Sequence, residues 1–346
     1  MRVLQIAGPY LPVPPGGYGG SERVIDSLAC ELTELGVELT TFTVGTSRTA
    51  GKMEFHFAEH QAPSDETGDF TSWDPAAPSI QAGKAFARAA EYDFVHNHLS
   101  QGIAFSEVCP TPMLTTLHSF AATGSKSDRI FANFPDARYV AISDSQRRLA
   151  PHLNVVATVP NPIPHETWRS APEVTRRGEY LLFLGRLSHL KGAELAVGLA
   201  ARWGLPLIIA GPVFPADRPY FHEVLEPLLD TRGVTYVGGV AGERKADLLR
   251  GALATVVPSQ WDEPFGLTAL ESMALGTPAL VSPRGALPEM VEHDVTGLVV
   301  PDFGHPDVTA EDVLALDRAV VADQARQRFA PAAVAASYLA LYRRFA

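Results

Sequence analysis

The sequence predicts an α/β protein of two doubly wound domains, each a parallel sheet with helices on both faces. Three observations support this fold class. The chain of 346 residues exceeds the length that one hydrophobic core usually covers. Apolar strand-like runs alternate with helical segments along its length, as in parallel sheets with right-handed crossovers. A proline-rich stretch near the middle divides this alternation into two series.

The first series, residues 1–160, begins with a strand, a glycine-rich loop and a helix. RVLQIA is an apolar strand run, the loop is GPYLPVPPGGYGG, and SERVIDSLACELTELG has a serine cap and apolar residues at helical spacing. Further strands are predicted at VELTTFTV, DFVHNH, PMLTTLHSF, ARYVAIS and NVVATV, with helices such as SIQAGKAFARAAE and SDSQRRLA between them. Residues 59–78 are polar and aperiodic, which predicts an exposed loop.

The second series follows the proline-rich residues 161–177, which predict a linker between domains. A second domain is therefore expected over 178–325, with strands at YLLFLG, LPLIIAG, VTYVGGV, LATVVPS, PALVS and GLVV. Residues 326–346 contain a last helical pattern, AAVAASYLALYRRFA.

Composition and charge exclude several classes of partner. The apolar fraction of 46% and the charged fraction of 19% are those of a globular protein. The net charge is −11, and neither half carries a basic surface suited to nucleic acid or anionic lipid. Cys30 and Cys109 are too few for a disulfide framework, which fits a reducing cytoplasm. The N-terminal apolar run is too short for a signal peptide, and no stretch is long enough to span a bilayer.

Two carboxylates, Glu263 and Glu271, lie in SQWDEPFGLTALESMALGTPAL (259–280), which predicts a loop, a helix and a turn. Glu271 shares the apolar stripe of this helix, so its carboxylate faces inward and needs a partner. The helix itself carries no cation. Two interpretations remain open. The pair is functional, or Glu263 is a solvated residue near a helix start and Glu271 is neutralised by an Arg of a neighbouring element.

Two basic residues, Arg186 and Lys191, flank the predicted strand-to-helix turn in GRLSHLKGAELA. Arg binds phosphate oxygens bidentately, Lys adds a compact charge, and a helix N-terminus favours an anion. These features predict a diphosphate site, and the alternative is a pair of solvated surface cations. Ligands bind beyond the carboxyl ends of parallel strands, so Glu263 and Glu271 are expected at the same edge of the sheet.

The first domain offers a glycine-rich loop and a histidine. Gly16, Gly17, Gly19 and Gly20 have no side chains, so their backbone can approach a phosphate or sugar closely. The alternative is a flexible surface loop, which has the same composition. The strand PMLTTLH brings His118 to the carboxyl edge of its sheet. A lone His is more often structural than functional, so His118 gains weight only from the other motifs.

In their order and placement, these motifs resemble the retaining glycosyltransferases of family 4. EPFGLTALE (263–271) is similar to the E-x7-E signature of that family, and GRLSHLKG (185–192) is similar to its G-R-x…K-G motif. GGYGGSER, TTLHSF, VAIS and VPNPIP occur in the corresponding places, so the resemblance runs nearly end to end. It implies the GT-B fold, in which two Rossmann-like domains face each other across a deep cleft and the last helix crosses back to the first domain.

The resemblance also implies a role for each candidate residue. Arg186 and Lys191 would bind the donor diphosphate. Glu271 would bind the ribose hydroxyls, and Val237 and Gly238 would lie beside the base. Glu263 would hold hydroxyls of the transferred sugar, and His118 would face that sugar from the first domain. The predicted catalytic residues are His118, Glu263, Arg186 and Lys191, and the predicted donor-binding residues are Gly17, Gly19, Gly20, Arg186, Lys191, Val237, Gly238, Phe265, Gly266, Leu267 and Glu271.

The implied activity is retaining transfer of a hexose or pentose from a nucleoside-diphosphate sugar to an acceptor hydroxyl. No cofactor is expected besides this co-substrate, and a UDP-sugar is favoured over a GDP-sugar. No metal is expected, because the chain has no D-x-D motif and Arg186 and Lys191 can supply the charge. The scattered arginines of the first domain favour a small soluble or glycoside acceptor over a membrane lipid. The Ala-rich composition with more Arg than Lys suits a GC-rich bacterial source. A small glycosylated natural product, as in antibiotic biosynthesis, is one candidate acceptor, and a monomer or dimer is expected.

Three other activities are compatible with parts of this pattern. A nucleotide-sugar 2-epimerase has the same fold and needs no acceptor pocket, and a non-catalytic nucleotide-sugar binding protein would keep the same anchors. An inverting GT-B transferase would need a general base near the start of the first domain, and the Gly16–Gly20 loop contains none. The chain also departs from the family at 161–164, where Asn-Pro-Ile-Pro replaces the usual Asn-Gly-Val-Asp.

Overall fold

The computed structural model describes residues 1–61, 74–119, 122–125, 128–175, 178–229 and 233–346. The described chain divides into two compact units. Unit 1 contains the described residues from Met1 to His165 together with Phe329–Ala346, and unit 2 contains Glu166–Arg328. Each unit has its own parallel sheet and helices, which confirms the predicted α/β class with two doubly wound domains.

The sheet of unit 1 has seven described strands in the order β3-β2-β1-β4-β5-β6-β7, and all adjacent strands are parallel. The strands are β1 (Arg2–Ile6), β2 (Glu38–Thr43), β3 (Lys52–Phe55), β4 (Phe94–Asn97), β5 (Met113–Thr116), β6 (Tyr139–Ala141) and β7 (Val155–Thr158). Because β1, β4 and β5 are neighbours, the segments that follow them emerge side by side at one edge of the sheet.

The sheet of unit 2 has six described strands in the order β10-β9-β8-β11-β12-β13, again all parallel. They are β8 (Leu181–Leu184), β9 (Leu207–Ala210), β10 (Val234–Tyr236), β11 (Ala254–Val257), β12 (Ala279–Val281) and β13 (Gly297–Val299). The central strands β8, LLFL, and β11, ATVV, are almost entirely apolar, as is typical of parallel strands with both faces covered. The strand order places β8 beside β11, which brings the segments after these two strands together.

The helices alternate with the strands as the sequence predicts. They are α1 (Gly20–Glu34), α2 (Ala77–Phe86), α3 (Asp128–Phe131), α4 (Asp144–Leu149), α5 (His165–Arg169), α6 (Ala193–Trp203), α7 (Arg218–Tyr220), α8 (Glu226–Leu229), α9 (Gly242–Gly251), α10 (Leu267–Ala274), α11 (Leu287–Met290), α12 (Ala310–Leu314), α13 (Arg318–Arg328) and α14 (Pro331–Phe345). A π-helical turn, Phe221–Leu225, joins α7 to α8. Within the described part of the chain, no helix combines the length and apolar character needed to cross a membrane.

The last helix, α14, packs against α1 within unit 1. Its buried positions recur every three or four residues, so one apolar stripe faces the unit. Two tyrosines on this stripe are buried and carry their hydroxyls to polar partners in the sheet. Tyr342 Oη lies 2.6 Å from His96 Nδ1, and Tyr338 Oη lies 3.0 Å from Thr116 Oγ1. The C-terminal helix is therefore bonded to β4 and β5.

Two segments differ from the sequence prediction. Most of the predicted loop 59–78 falls on residues 62–73, which lie outside the described residues, and Ala77 and Pro78 belong to α2 rather than to a loop. Pro at the first helical turns is favourable because its missing N–H would have no partner there. The predicted linker 161–177 is divided between the two units, since residues 161–164 are buried in unit 1 and Ile163 N bonds Phe329 O at 3.0 Å. Its residues 176–177 lie outside the described part.

Candidate active site

The turn after β8 and the loop after β11 bring Lys191 and Glu263 together in unit 2. Lys191 Nζ lies 2.8 Å from Oε1 and 2.7 Å from Oε2 of Glu263. Glu263 Oε2 also accepts from Ser259 Oγ at 3.1 Å and from Trp261 Nε1 at 2.9 Å. Glu263 is 9% exposed, so it is not a solvated carboxylate. Its charge is compensated by Lys191, and the pair is close to neutral in sum.

Arg186 at the same turn is held by a different carboxylate. Its Nε donates to Asp217, a buried residue that follows β9, and its guanidinium lies over the ring of Phe214 at 4.7 Å. Nη1 and Nη2 make no hydrogen bond to any described residue, and 35% of the side chain is exposed. The terminal nitrogens, which suit a bidentate contact to phosphate, are thus left available. Sequence reasoning missed Asp217, although it follows the strand that adjoins β8.

Glu271 on α10 is buried and paired. Its Oε1 accepts from Lys245 Nζ at 2.6 Å and from Thr167 Oγ1 at 3.3 Å. Lys245, on α9, also bonds Glu166 Oε1 at 2.7 Å. The alternative prediction, that a cation of a neighbouring element pairs with Glu271, is confirmed, although this cation is Lys245 and not an Arg. No described residue donates to Oε2 of Glu271, so one of its two oxygens remains open to a ligand.

The remaining predicted donor-binding residues of unit 2 lie at the start of α10 and after β10. Phe265 is buried, Leu267 is the first residue of α10, and Gly266 caps the helix with a φ of 111°. A Cβ at Gly266 would lie 2.7 Å from Leu287 Cδ2, so only Gly suits this left-handed position. Val237 and Gly238 follow β10, which is two strands from β8, or roughly 10 Å at the usual strand spacing.

The glycine-rich loop of unit 1 joins β1 to α1 and is held by a hydrogen bond from a buried arginine. The buried Arg23 donates a hydrogen bond to the carbonyl of Gly17. Gly19 has a φ of 144°, and a Cβ there would lie 2.9 Å from Pro15 Cγ and 3.0 Å from Leu11 Cδ1. Gly20 is the first residue of α1. The backbone of Gly17, Gly19 and Gly20 therefore has a defined conformation at the N-terminus of α1, where N–H groups are available to an anion.

His118 is not a lone histidine. Its Nε2 lies 2.8 Å from Nδ1 of His98, which follows the neighbouring strand β4, and the two rings are stacked. The ring of His96 lies 3.9 Å from that of His98, and His96 Nε2 bonds Thr116 Oγ1 at 2.8 Å. Sequence reasoning missed His96 and His98. The signal was the strand DFVHNH, whose carboxyl end adjoins that of PMLTTLH in a sheet of sequential parallel strands.

Burial keeps this histidine cluster neutral. It lowers the pKa of His118 to about 4. Burial also holds the pKa of His98 and of His96 well below the usual value, with a further lowering from the neighbouring histidines. At neutral pH the bond between His98 and His118 thus joins one N–H to one lone pair. The tautomer of His98 fixes whether His118 Nδ1 donates or accepts.

The neutral cluster predicts acid sensitivity of unit 1. Because the pKa values of the three histidines are lowered in the folded state, the unfolded chain binds protons first as pH falls. Stability is therefore complete above about pH 6.5 and should fall by up to about 2 kcal/mol per histidine between pH 6.5 and 5. Urea titrations at pH 7, 6 and 5, followed by hydrogen exchange of β4 and β5, measure how the free energy of unfolding of unit 1 changes with pH. The side chain of His222 is 60% exposed, so His222→Gln is the control and should keep the pH dependence of the wild type. If His96→Phe also kept the full pH dependence of the wild type, the histidine cluster would not be its source.

The pairing of Glu263 with Lys191 predicts an effect of opposite sign on binding and on turnover. Glu263→Gln removes the negative charge and leaves Lys191 uncompensated, so a nucleoside diphosphate should bind as tightly as before or up to about tenfold more tightly. Turnover of a nucleotide sugar should fall. Titration calorimetry with UDP at two salt concentrations measures the affinity. If Glu263→Gln binds UDP more tightly than the wild type, its affinity should also depend more strongly on salt. Weaker UDP binding would show that Glu263 itself holds the nucleotide.

Comparison with known proteins defines the class. Residues 165–333 match the family described as glycosyl transferases group 1, and residues 18–167 match glycosyltransferase family 4. AviGT4, a glycosyltransferase involved in avilamycin A biosynthesis, superposes with a TM-score of 0.77 at 26% identity, over 99% of this chain and 97% of that one. Together with the two doubly wound units, these matches make the chain a glycosyltransferase of the GT-B type.

Relatives of several specificities are similar to this chain. Glycogen synthase of Mycobacterium tuberculosis is 29% identical over 350 residues, 86% of this chain and 82% of the relative. D-inositol 3-phosphate glycosyltransferase of Kribbella flavida is 27% identical over 344 residues, with coverages of 84% and 81%. An uncharacterized glycosyltransferase of Methanocaldococcus jannaschii is 38% identical over 125 residues, which are 35% of this chain and 31% of that protein. HepE of Anabaena, solved with UDP and glucose, has the same fold with a TM-score of 0.75 at 16% identity.

Proposed function

We propose that this glycosyltransferase belongs to family 4 and transfers a sugar, with retention of configuration, from a UDP-sugar to a hydroxyl of a small soluble or glycoside acceptor. The observation that carries the proposal is the state of the two signature carboxylates. Both carboxylate oxygens of Glu263 accept hydrogen bonds from Lys191 at the carboxyl edge of the sheet. Oε1 of Glu271 accepts from Lys245, whereas Oε2 accepts from no described residue. A site of this kind offers acceptors to sugar and ribose hydroxyls beside cations for phosphates.

The comparisons support the donor and the acceptor class. HepE binds UDP and glucose in one solved structure and UDP-glucose in another. AviGT4 acts in the biosynthesis of avilamycin A, which favours a bacterial natural product as the acceptor. The match to family 4 supports retention, since that is the stereochemistry the family resemblance implies.

The proposed reaction assigns each group a part. Arg186 binds the diphosphate through Nη1 and Nη2, while Lys191 and the helix N-terminus after it stabilise the negative charge that grows on the leaving group. The bond between the anomeric carbon and the diphosphate oxygen breaks. The acceptor oxygen bonds to that carbon from the same face, and its proton passes to a donor phosphate oxygen. Glu263 and His118 orient the sugar, and we propose that no divalent metal takes part.

The experiment that tests this function is a turnover assay with a panel of nucleotide sugars and glycoside acceptors. A thermal-shift screen selects the donor first, because a ligand at 100 times its dissociation constant stabilises by about 2.7 kcal/mol. Proton NMR of the product then gives the anomeric configuration, and EDTA tests the metal. A free epimerised UDP-sugar would identify an epimerase, an inverted product would exclude retention, and binding with no turnover on any acceptor would favour a binding protein.

His118→Ala separates the roles of the two units. UDP affinity should be unchanged, because His118 is proposed to contact only the transferred sugar, whereas turnover should fall by about 100-fold or more for a group that acts on the sugar. The control is His222→Ala, at an exposed position of the π-helical turn Phe221–Leu225. An equal loss of UDP affinity and turnover would place His118 on the nucleotide instead.

A further inference from the structure

Lys245 is a buried cation to which the proposed reaction assigns no role. It lies on α9, is 6% exposed, and places Nζ 2.6 Å from Glu271 Oε1 and 2.7 Å from Glu166 Oε1. A buried ammonium is costly unless it is paired and hydrogen-bonded, and replacing such a pair by apolar residues is often neutral or stabilising. Its position beside Glu271 therefore points to a role beyond stability.

The geometry at Glu271 is asymmetric. Oε1 accepts from Lys245 and from Thr167, whereas Oε2 accepts from no described residue. Two donors on one oxygen fix the plane and the rotamer of a carboxylate, and the lone pairs of the second oxygen are left for another donor. Glu271 is itself 6% exposed, so only one edge of its carboxylate is open to a ligand.

The second partner of Lys245 has a different environment. The side chain of Glu166 is 37% exposed, against 8% for the side chains of Lys245 and Glu271. An exposed carboxylate can be solvated by water when its cation is lost, but the carboxylate of Glu271 cannot. Lys245 therefore matters chiefly for Glu271, and Glu166 serves as a matched control on the same ammonium.

We propose that Lys245 is a positioning residue for donor recognition: it anchors Oε1 of Glu271 so that Oε2 accepts hydrogen bonds from the ribose hydroxyls of the nucleotide. This inference rests on the proposed function, because the ribose contact of Glu271 belongs to that proposal. A merely structural Lys245 would stabilise unit 2 without any effect on how the site distinguishes ribose from deoxyribose.

The test compares the dissociation constants of UDP and 2′-deoxy-UDP by titration calorimetry. A hydrogen bond to a charged group is worth about tenfold or more in affinity, so the wild type should prefer UDP by about that factor. Lys245→Met, which keeps an apolar stem, should lose most of this preference through weaker UDP binding, with 2′-deoxy-UDP bound as before. Glu166→Gln should keep the preference. The affinity for 2′-deoxy-UDP serves in each variant as a check that the site is folded.

Two further variants make the outcome decisive. Glu271→Gln should lose the preference as Lys245→Met does. The double variant Lys245→Met/Glu271→Gln, which leaves no buried charge without its partner and so guards against misfolding of the single variant, should bind both ligands like Glu271→Gln alone, because Lys245 acts through Glu271. Wild-type preference retained in Lys245→Met would overturn the inference and leave the proposed function intact. No preference in the wild type, or no UDP binding, would overturn the proposed donor site and the inference with it.

Discussion

Replacing Tyr342 by Ala should destabilise unit 1 by about 3–5 kcal/mol, a large fraction of the 5–15 kcal/mol typical of a domain. The ring of Tyr342 is fully buried on α14, and its hydroxyl bonds His96 at 2.6 Å. The substitution therefore removes a large side chain from the interior and leaves a buried ring nitrogen without its partner. Since His96 packs on His98, and His98 bonds His118, the damage should extend to the histidine cluster.

A series at this position separates packing from hydrogen bonding. Tyr342→Phe keeps the ring and removes only the hydroxyl, so it should cost about 1–3 kcal/mol, the price of a buried unsatisfied group. Arg343→Ala, at an exposed position of the same helix, should be close to neutral. Hydrogen exchange resolves the effect by unit. Faster exchange is expected in β4 and β5 and no change in β8 and β11. Equal costs for Tyr342→Ala and Arg343→Ala would contradict the anchoring role of α14.

The strands and helices could be predicted because local patterns determine them here. The runs YLLFLG, LPLIIAG and LATVVPS are apolar on both faces, as strands covered by helices must be, and all three are strands in the structure. The strand β3, KMEF, was not predicted. It is an edge strand, half of it exposed, and its polar–apolar alternation covers only four residues, which is too short to stand out from a loop.

The candidate residues themselves follow from the sequence, but the partners that hold them do not. Arg186 and its carboxylate Asp217 are 31 residues apart and meet only because β8 and β9 are adjacent. Lys245 lies in GERKADLLR, whose five charged residues resemble a solvated helix face. A signal was nevertheless present, since Lys245 stands four residues before the buried Leu249 and is one of only five lysines in the chain. Long-range pairs of this kind depend on packing angles that no local pattern encodes.

The two cations of the diphosphate turn should differ in how much their loss costs. Arg186→Met removes the guanidinium whose Nη1 and Nη2 make no hydrogen bond to a described residue and leaves the buried Asp217 without its cation, so donor affinity and turnover should both fall, the latter by about 100-fold. Lys191→Met removes the cation bonded to both oxygens of Glu263 and leaves that carboxylate buried, uncompensated and close to the donor phosphates. Its turnover should fall by about 1,000-fold, because repulsion adds to the lost stabilisation of the leaving group.

The difference has a specific test, because a second substitution should repair part of the damage. Lys191→Met/Glu263→Gln carries neither charge, so UDP affinity should recover to within a few-fold of the wild type while turnover stays low, since the leaving group still lacks its cation. Arg186→Met/Glu263→Gln should gain no more than the up to about tenfold that Glu263→Gln gives in the wild type, because Arg186 is not the partner of Glu263. Steady-state kinetics and calorimetry on the four variants give both quantities. If Glu263→Gln restores affinity equally in both backgrounds, the carboxylate repels the donor in the wild type as well, and Lys191 is not what compensates it. If it restores affinity in neither, Lys191 contacts the diphosphate directly, and the loss of that contact outweighs the removal of the repulsion.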